Sequence, residues 1–160
     1  MMSSRNSSEQ IICLRPKSDF IEFDAIAPAR FQVEYINPSD PAIMRFAERA
    51  KALIIPAVGS KIPNEIFENS NIKMVQVTGA GIDRLDADFC RKNQIAVCNV
   101  QGGSAFAVAE YCIGSVIMLS RQLHLGINAL PRGEYSTIRS KMIEKRMVSL
   151  QGQHIGIVGF

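Results

Sequence analysis

Two stretches of this 160-residue chain combine small residues with backbone polarity in a way that suits an anionic ligand. The first is VTGAGID, residues 77–83. Ala80 and Gly81 carry little or no side chain, so their N–H groups can approach an anion closely, and a small carboxylate is a fitting guest. A tight turn built by the same glycines is the plainer reading of this stretch taken alone. The second is CNVQGGSAFAVAEY, residues 98–111. Gly102 and Gly103 lead into a helix with Ser104 as its N-cap. Helix N-termini bind anions through free N–H groups and the positive end of the dipole. The same glycines equally serve as a flexible joint between two elements. Glu110 lies in the second turn of that helix, where a carboxylate favours the helix start electrostatically.

Other candidate chemistry is thinner. GIVGF closes the sequence, and only Gly159 can be the first glycine of a G-x-G-x-x-G fingerprint. Arg132, Arg139, Lys141, Lys145 and Arg146 form a basic run, but Glu134 and Glu144 interrupt it, which reads as a solvated helix face. His124 has no Ser or Cys with a matching acid near it in sequence, so a hydrolase triad has no support. The second histidine, His154, is far away, and Cys13, Cys90, Cys98 and Cys112 form no C-x-x-C pair, so no metal site is expected. All four cysteines have apolar sequence neighbours and are expected to be buried and reduced, which suits the cytoplasm.

The elements that must carry these residues alternate along the chain. Residues 1–9 read as a loose tail. Apolar or alternating runs at 11–14, 31–36, 52–56, 72–78 and 95–100 predict strands. Helical segments fall between them, over 18–26 with Ser18 or Asp19 as cap, 38–50 with Asp40 as cap and Pro41 at the first helical position, 63–70 and 85–93. Strands separated by helices predict a parallel sheet reached by right-handed crossovers, with helices on both faces. The fold class is therefore α/β, a flavodoxin-like unit over residues 10–101. A long helix from Ser104 to Leu125 follows, loosened at its end by Gly126. A charged, helical segment from Thr137 and a final strand, HIGIVG at 154–159, complete the chain.

Composition agrees with a packed protein. Hydrophobic residues make up 47% and charged residues 21% of the chain, close to the globular average, so disorder as the main state is not expected. A formal charge of +3 is too mild for a nucleic-acid footprint. The N-terminal MMSSRNSSEQ has no apolar core of the secretory kind, and the longest apolar stretch is broken by Glu110 and too short to span a bilayer. Neither a membrane nor nucleic acid is therefore expected as a partner.

Three segments, in order and spacing, resemble the D-isomer-specific 2-hydroxyacid dehydrogenases, the family that includes D-3-phosphoglycerate dehydrogenase. GAGIDRLD is similar to that family's Gly-x-Gly-Val-Asp-Asn-Val-Asp. CNVQGGSAFAVAEYCIGSVIMLSRQL is similar to its Asn-x-Pro-x-x-Asn-x-x-x-Val-Ala-Glu helix, and SLQGQHIGIVGF to its Leu-x-Gly-Lys-x-x-Gly-Ile-x-Gly-x-Gly. The resemblance spans residues 72–160. It implies hydride transfer between NAD or NADP and a D-2-hydroxy or 2-keto acid. It also implies a substrate domain over 10–101, the incomplete start of a Rossmann-type coenzyme domain over 102–160, and a homodimer formed through the 104–125 helix.

Residue by residue, the resemblance places the substrate carboxylate on the amides of Ala80 and Gly81, with Ser104 lining the same site. Ala80 and Val108 fall near the coenzyme, and Gly159 falls at the first glycine of the pyrophosphate turn. The family's catalytic Arg, Glu and His correspond to positions past Phe160, so no catalytic residue is assigned in this chain, and the 160 residues alone are expected to be inactive. The sequence departs from the family at Ser104, where Asn is usual, at Gln101 for Pro, at Arg84 for Asn and at Tyr135 for Trp. The alternative is a non-catalytic flavodoxin-like binding module whose apolar helix docks on a partner.

Overall fold

The computed structural model describes residues 8–147 and 149–158. The chain forms two compact units, one ending at Gly103 and the other beginning at Ser104.

In the first unit five strands form one sheet: β1 (Glu9–Cys13), β2 (Phe31–Tyr35), β3 (Ala52–Ile55), β4 (Met74–Val77) and β5 (Ala96–Cys98). Every pairing is parallel and the spatial order is β2-β1-β3-β4-β5. This is the flavodoxin-like order, in which the chain steps to one side and then reverses between β1 and β3. Four short helices make the crossovers: α1 (Ser18–Ile21), α2 (Ile43–Ala47), α3 (Glu65–Glu68) and α4 (Ala87–Lys92).

Strand register decides which face is sealed. Ile12, Leu53 and Val75 lie opposite one another across three neighbouring strands, and Ile55 opposes Val77 one step on. Side chains alternate along a strand, so all five project to the same face. They are fully buried there against Ile43 and Ala47 of α2, Ile66 and Phe67 of α3, and Cys90 of α4. Each such side chain contributes about 1.5–3 kcal/mol by leaving water. The opposite face carries Cys13 and Tyr35, and α1 covers it there, with Phe20 tilted against Tyr35 at 5.7 Å between ring centroids. Helices thus flank both faces, as the alternation of elements predicts.

Several local expectations need correction. Neither Ser18 nor Asp19 caps α1; Lys17 occupies the N-cap position and no side chain bonds the helix end. Asp19 is instead drawn to Arg15, which donates to it from Nε and Nη2 at 2.9 and 2.7 Å. Asp40 accepts from the Ala42 N–H at 2.9 Å, but the regular helix begins only at Ile43. Cys98 is exposed because it lies on edge strand β5, on the face that α1 covers only over β1 and β2. Cys112 is exposed as well, whereas Cys13 and Cys90 are buried as expected.

The second unit is helical: α5 (Ala105–Ser120), α6 (Leu123–Ala129), a 3-10 turn over Leu130–Arg132, and α7 (Tyr135–Glu144). The long helix predicted to Leu125 stops at Ser120. Gln122 takes a left-handed conformation, φ 49°, and its N–H returns to the Leu119 carbonyl, closing α5 as a C-terminal glycine ordinarily does. Gly126 sits inside α6 rather than at a helix end. No strand forms over 154–158, the described part of the expected 154–159 strand. A strand needs a neighbour to satisfy its backbone, and the sheet draws only on residues 9–98. Most of the predicted tail lies outside the described residues, as does Gly159.

Candidate functional site

In an open parallel sheet, ligands settle beyond the carboxyl ends of the strands. β4 ends at Val77, and Thr78–Gly79–Ala80–Gly81 follows it there as an irregular bend. Thr78 is still tied to the sheet, its N–H donating to the Ile55 carbonyl at 2.9 Å. Gly79 has no room for a side chain, since a Cβ there would lie 2.7 Å from the Cβ of Ala57. Gly81 is different: its added Cβ would meet only the Asp83 carboxylate, at 3.2 Å. One glycine lets two loops touch, and the other leaves the space in front of the turn open.

The carbonyls of the turn are held from one side by the segment after β5. The Val100 N–H donates to Gly79 O at 2.9 Å, and Asn99 Nδ2 donates to Ala80 O at 2.7 Å. In a trans peptide the N–H points opposite to the C=O. The N–H groups of Ala80 and Gly81 therefore point away from β5, and among the described residues neither has an acceptor. Both residues are exposed. Two adjacent, unpaired, outward-facing amides are chemically able to donate to one anion.

Charged groups frame this turn. Arg15, after β1, donates from Nη1 to Thr78 Oγ1 at 3.1 Å while paired with Asp19. Arg84 is 5% exposed and reaches the loop after β3. Burial lowers its pKa, yet a guanidinium remains charged at any ordinary pH. An open depression lies beside the starts of α3 and α4, lined by Lys61, Asn64, Glu65, Asp86 and Asp88. Its three carboxylates suit it poorly to an acid. Among the described residues no group of His, Cys, Asp and Glu side chains is placed to hold a metal ion, and no helix is long and apolar enough to cross a membrane.

Of the residues singled out in the sequence, Ala80 and Gly81 lie in the first unit, on the turn just described. Ser104 and Val108 belong to the second. Ser104 occupies the N-cap position of α5, although its side chain makes no capping bond. Its carbonyl accepts the Val108 N–H at 2.9 Å. Val108 is exposed on α5.

Residues 14–154 match the family model described as D-isomer specific 2-hydroxyacid dehydrogenase, catalytic domain. The chain belongs to this family. D-3-phosphoglycerate dehydrogenase of Methanocaldococcus jannaschii is 27% identical over 108 residues, which cover 67% of this chain and 20% of that protein. The solved 2-hydroxyacid dehydrogenase of Ketogulonicigenium vulgare Y25 superposes with a TM-score of 0.68 at 20% identity, over 82% of this chain and 42% of that one. D-lactate dehydrogenase of Aquifex aeolicus, solved as a complex with NAD and lactic acid, gives a TM-score of 0.62 at 16% identity, over 79% and 38% of the two chains. At these identities the two structures show a shared fold. The chain spans about a fifth of the length of the curated relative and about two fifths of the solved ones.

Within this family member, sequence reasoning missed Asn99 and the part played by Arg84. The signal for Asn99 was present as an amide side chain directly after a predicted strand, level with a glycine-rich turn on the neighbouring strand. Nothing in the sequence showed that those two strand ends are adjacent; the β4–β5 pairing supplies that.

Proposed function

We propose that this chain is the substrate-holding part of a nicotinamide-dependent 2-hydroxyacid dehydrogenase, and that Ala80 and Gly81 bind the carboxylate of a small D-2-hydroxy or 2-keto acid. The observation that carries this reading is the pair of unpaired N–H groups, turned outward because Val100 and Asn99 hold the carbonyls of Gly79 and Ala80. A carboxylate presents two acceptor oxygens, which two adjacent donors match. Hydrogen bonds to a charged acceptor are roughly twice as strong as neutral ones, so two suffice for selective, weak binding.

The remaining roles follow the family. By the resemblance Ser104 takes a substrate-binding role, offering a hydroxyl where an amide is usual. By the resemblance Ala80, Val108 and Gly159 take coenzyme-binding roles, Gly159 lying outside the described residues. The nicotinamide, when bound, supplies the hydride acceptor or donor; the residues of this chain bind and orient the acid. No residue of this chain is assigned to the general acid–base pair or to the substrate-binding arginine. The substrate domain comprises residues 10–101, and residues 102–160 begin the coenzyme domain. Phe106, Tyr111, Ile113 and Leu119 are exposed on α5, which supports a homodimer formed through the 104–125 segment. The buried, unreactive placement of Cys13 and Cys90 accords with a cytoplasmic protein.

The test is a titration of the ¹⁵N-labelled chain with pyruvate. The Ala80 and Gly81 amide resonances are expected to move, while lactamide, which lacks the negative charge, leaves them in place. Pyruvate shifts confined to other residues would refute the placement of the site.

A further inference from the structure

We propose that Asn99 is a positioning residue for acid recognition, setting the direction of the Gly81 N–H through the peptide that joins Ala80 to Gly81. The inference rests on the reading of Ala80 and Gly81 as the carboxylate site and adds how that site is held ready.

The turn is fixed at several points, and they differ in kind. Thr78 is bound by the Ile55 carbonyl and Gly79 by the Val100 N–H, both backbone contacts that survive any side-chain change. Gly79 is also wedged against Ala57, where a Cβ would come within 2.7 Å. The chain entering the turn is therefore fixed by its neighbours. The next peptide is not. Its carbonyl, Ala80 O, is held by a side chain, the Nδ2 of Asn99 at 2.7 Å, and its N–H is the unpaired amide of Gly81. Gly81 itself has no side chain to resist rotation, and a peptide beside glycine turns over more freely than any other. Asn99 thus restrains the peptide whose rotation moves the second donor.

The chemistry of the side chain matters as much as its place. Ala80 O needs a donor, and only the NH₂ end of the asparagine amide provides one. An aspartate of the same shape offers acceptors alone. It would repel the Ala80 carbonyl and add negative charge beside a site meant for an anion. Holding a donor in its bound direction before the ligand arrives raises affinity by removing the cost of ordering it. Loss of one such restraint, at about 1.4 kcal/mol, corresponds to about a tenfold weaker complex.

The experiment uses the 160-residue chain with pyruvate as probe and two variants, Asn99→Ala and the isosteric Asn99→Asp. In the absence of ligand, the Gly81 amide is expected to shift and its ¹⁵N order parameter to fall in both variants. The Ile12, Leu53 and Val75 amides of the core should stay where they are. Pyruvate affinity should fall about tenfold in Asn99→Ala and further in Asn99→Asp. An unchanged Gly81 shift and order parameter together with unchanged pyruvate affinity in either folded variant overturns the proposal. So does collapse of the core resonances in both variants, which would make Asn99 a general stabiliser. If the unsubstituted chain shows no pyruvate shifts at Ala80 and Gly81, the functional reading fails. The ligand-free order parameter of Gly81 still decides whether Asn99 restrains its peptide.

Discussion

The Nε of Arg84 donates to the carbonyl oxygen of Ser60 across 2.7 Å, joining the loop after β4 to the loop after β3. A second bond, from Nη1 to Pro56 O at 2.8 Å, makes the guanidinium a two-point staple, and among the described residues no carboxylate pairs with it. Gly59 accommodates it, since a Cβ there would come within 3.0 Å of the Arg84 Cζ and the backbone takes φ 137°. Replacing the arginine removes two charge-assisted bonds, to half-buried Pro56 and exposed Ser60, each worth about 1.5–3 kcal/mol and less where water can take the carbonyl. Arg84→Met is expected to destabilise the chain by roughly 2–4 kcal/mol in urea unfolding. A loss within experimental error would show that water replaces the staple freely.

Gly79 is a separate case, set by space alone. Its added Cβ would lie 2.7 Å from the Ala57 Cβ, closer than two carbons can rest, and neither partner is a flexible chain end. Gly79→Ala must push the two loops apart and is expected to cost about 1–3 kcal/mol, as overpacking does. The double variant with Ala57→Gly should recover most of it. Failure of that recovery would place the strain elsewhere.

These two positions mark what the sequence could and could not disclose. Strands, their parallel pairing and the glycine turn were legible because apolar runs such as ALII and MVQV alternate with helical segments and end in small residues. The helix break at Gln122 was not, because the left-handed residue that ends α5 is a glutamine while the glycine nearby, Gly126, is helical. Asn99 and Arg84 escaped for another reason. Their partners, Ala80, Pro56 and Ser60, lie 19, 28 and 24 residues away, and contacts at that separation exist only once the sheet order is known. Both exposed cysteines were misread because apolar sequence neighbours do not reveal which face of a strand or helix is covered.

The four thiols separate by burial. Cys13 and Cys90 are buried, and desolvation raises the pKa of each, disfavouring the reactive thiolate. Cys98 and Cys112 are exposed. A thiol-disulfide reagent at neutral pH should modify Cys98 promptly, and Cys13 and Cys90 only on unfolding. Rapid labelling of all four in the folded chain would contradict the burial of β1 and α4.

Asp86 caps α4, its Oδ1 accepting the Phe89 N–H at 2.9 Å, with the Asn64 amide at 3.4 Å from Oδ2. These bonds favour the carboxylate, and the Phe89 bond contributes most to lowering the pKa of Asp86 below its ordinary value. A folded-state pKa below the unfolded one gives stability that is fully present above the unfolded value, about 3.9, and is lost as pH falls through the lower folded value. Asp86→Asn should therefore flatten the acid limb of the stability profile, with the difference from the unsubstituted chain vanishing at the lowest pH. An unchanged acid limb would mean the cap bond does not form in solution.

Gly81→Val tests access to the amides rather than folding. The position has no left-handed φ, and an added Cβ there meets only the Asp83 carboxylate, the end of a side chain that can rotate away. Folding stability should fall by no more than about 1 kcal/mol, the ordinary range for an exposed substitution. The valine methyls, by contrast, would stand in front of the two unpaired N–H groups and keep a carboxylate from closing to the roughly 2.7–2.9 Å that charge-assisted bonds require. Pyruvate binding by the chain should drop at least tenfold, or about 1.4 kcal/mol, with no matching change in Tm. Retention of full affinity would show that the acid sits elsewhere, whatever the Ala80 and Gly81 amides do.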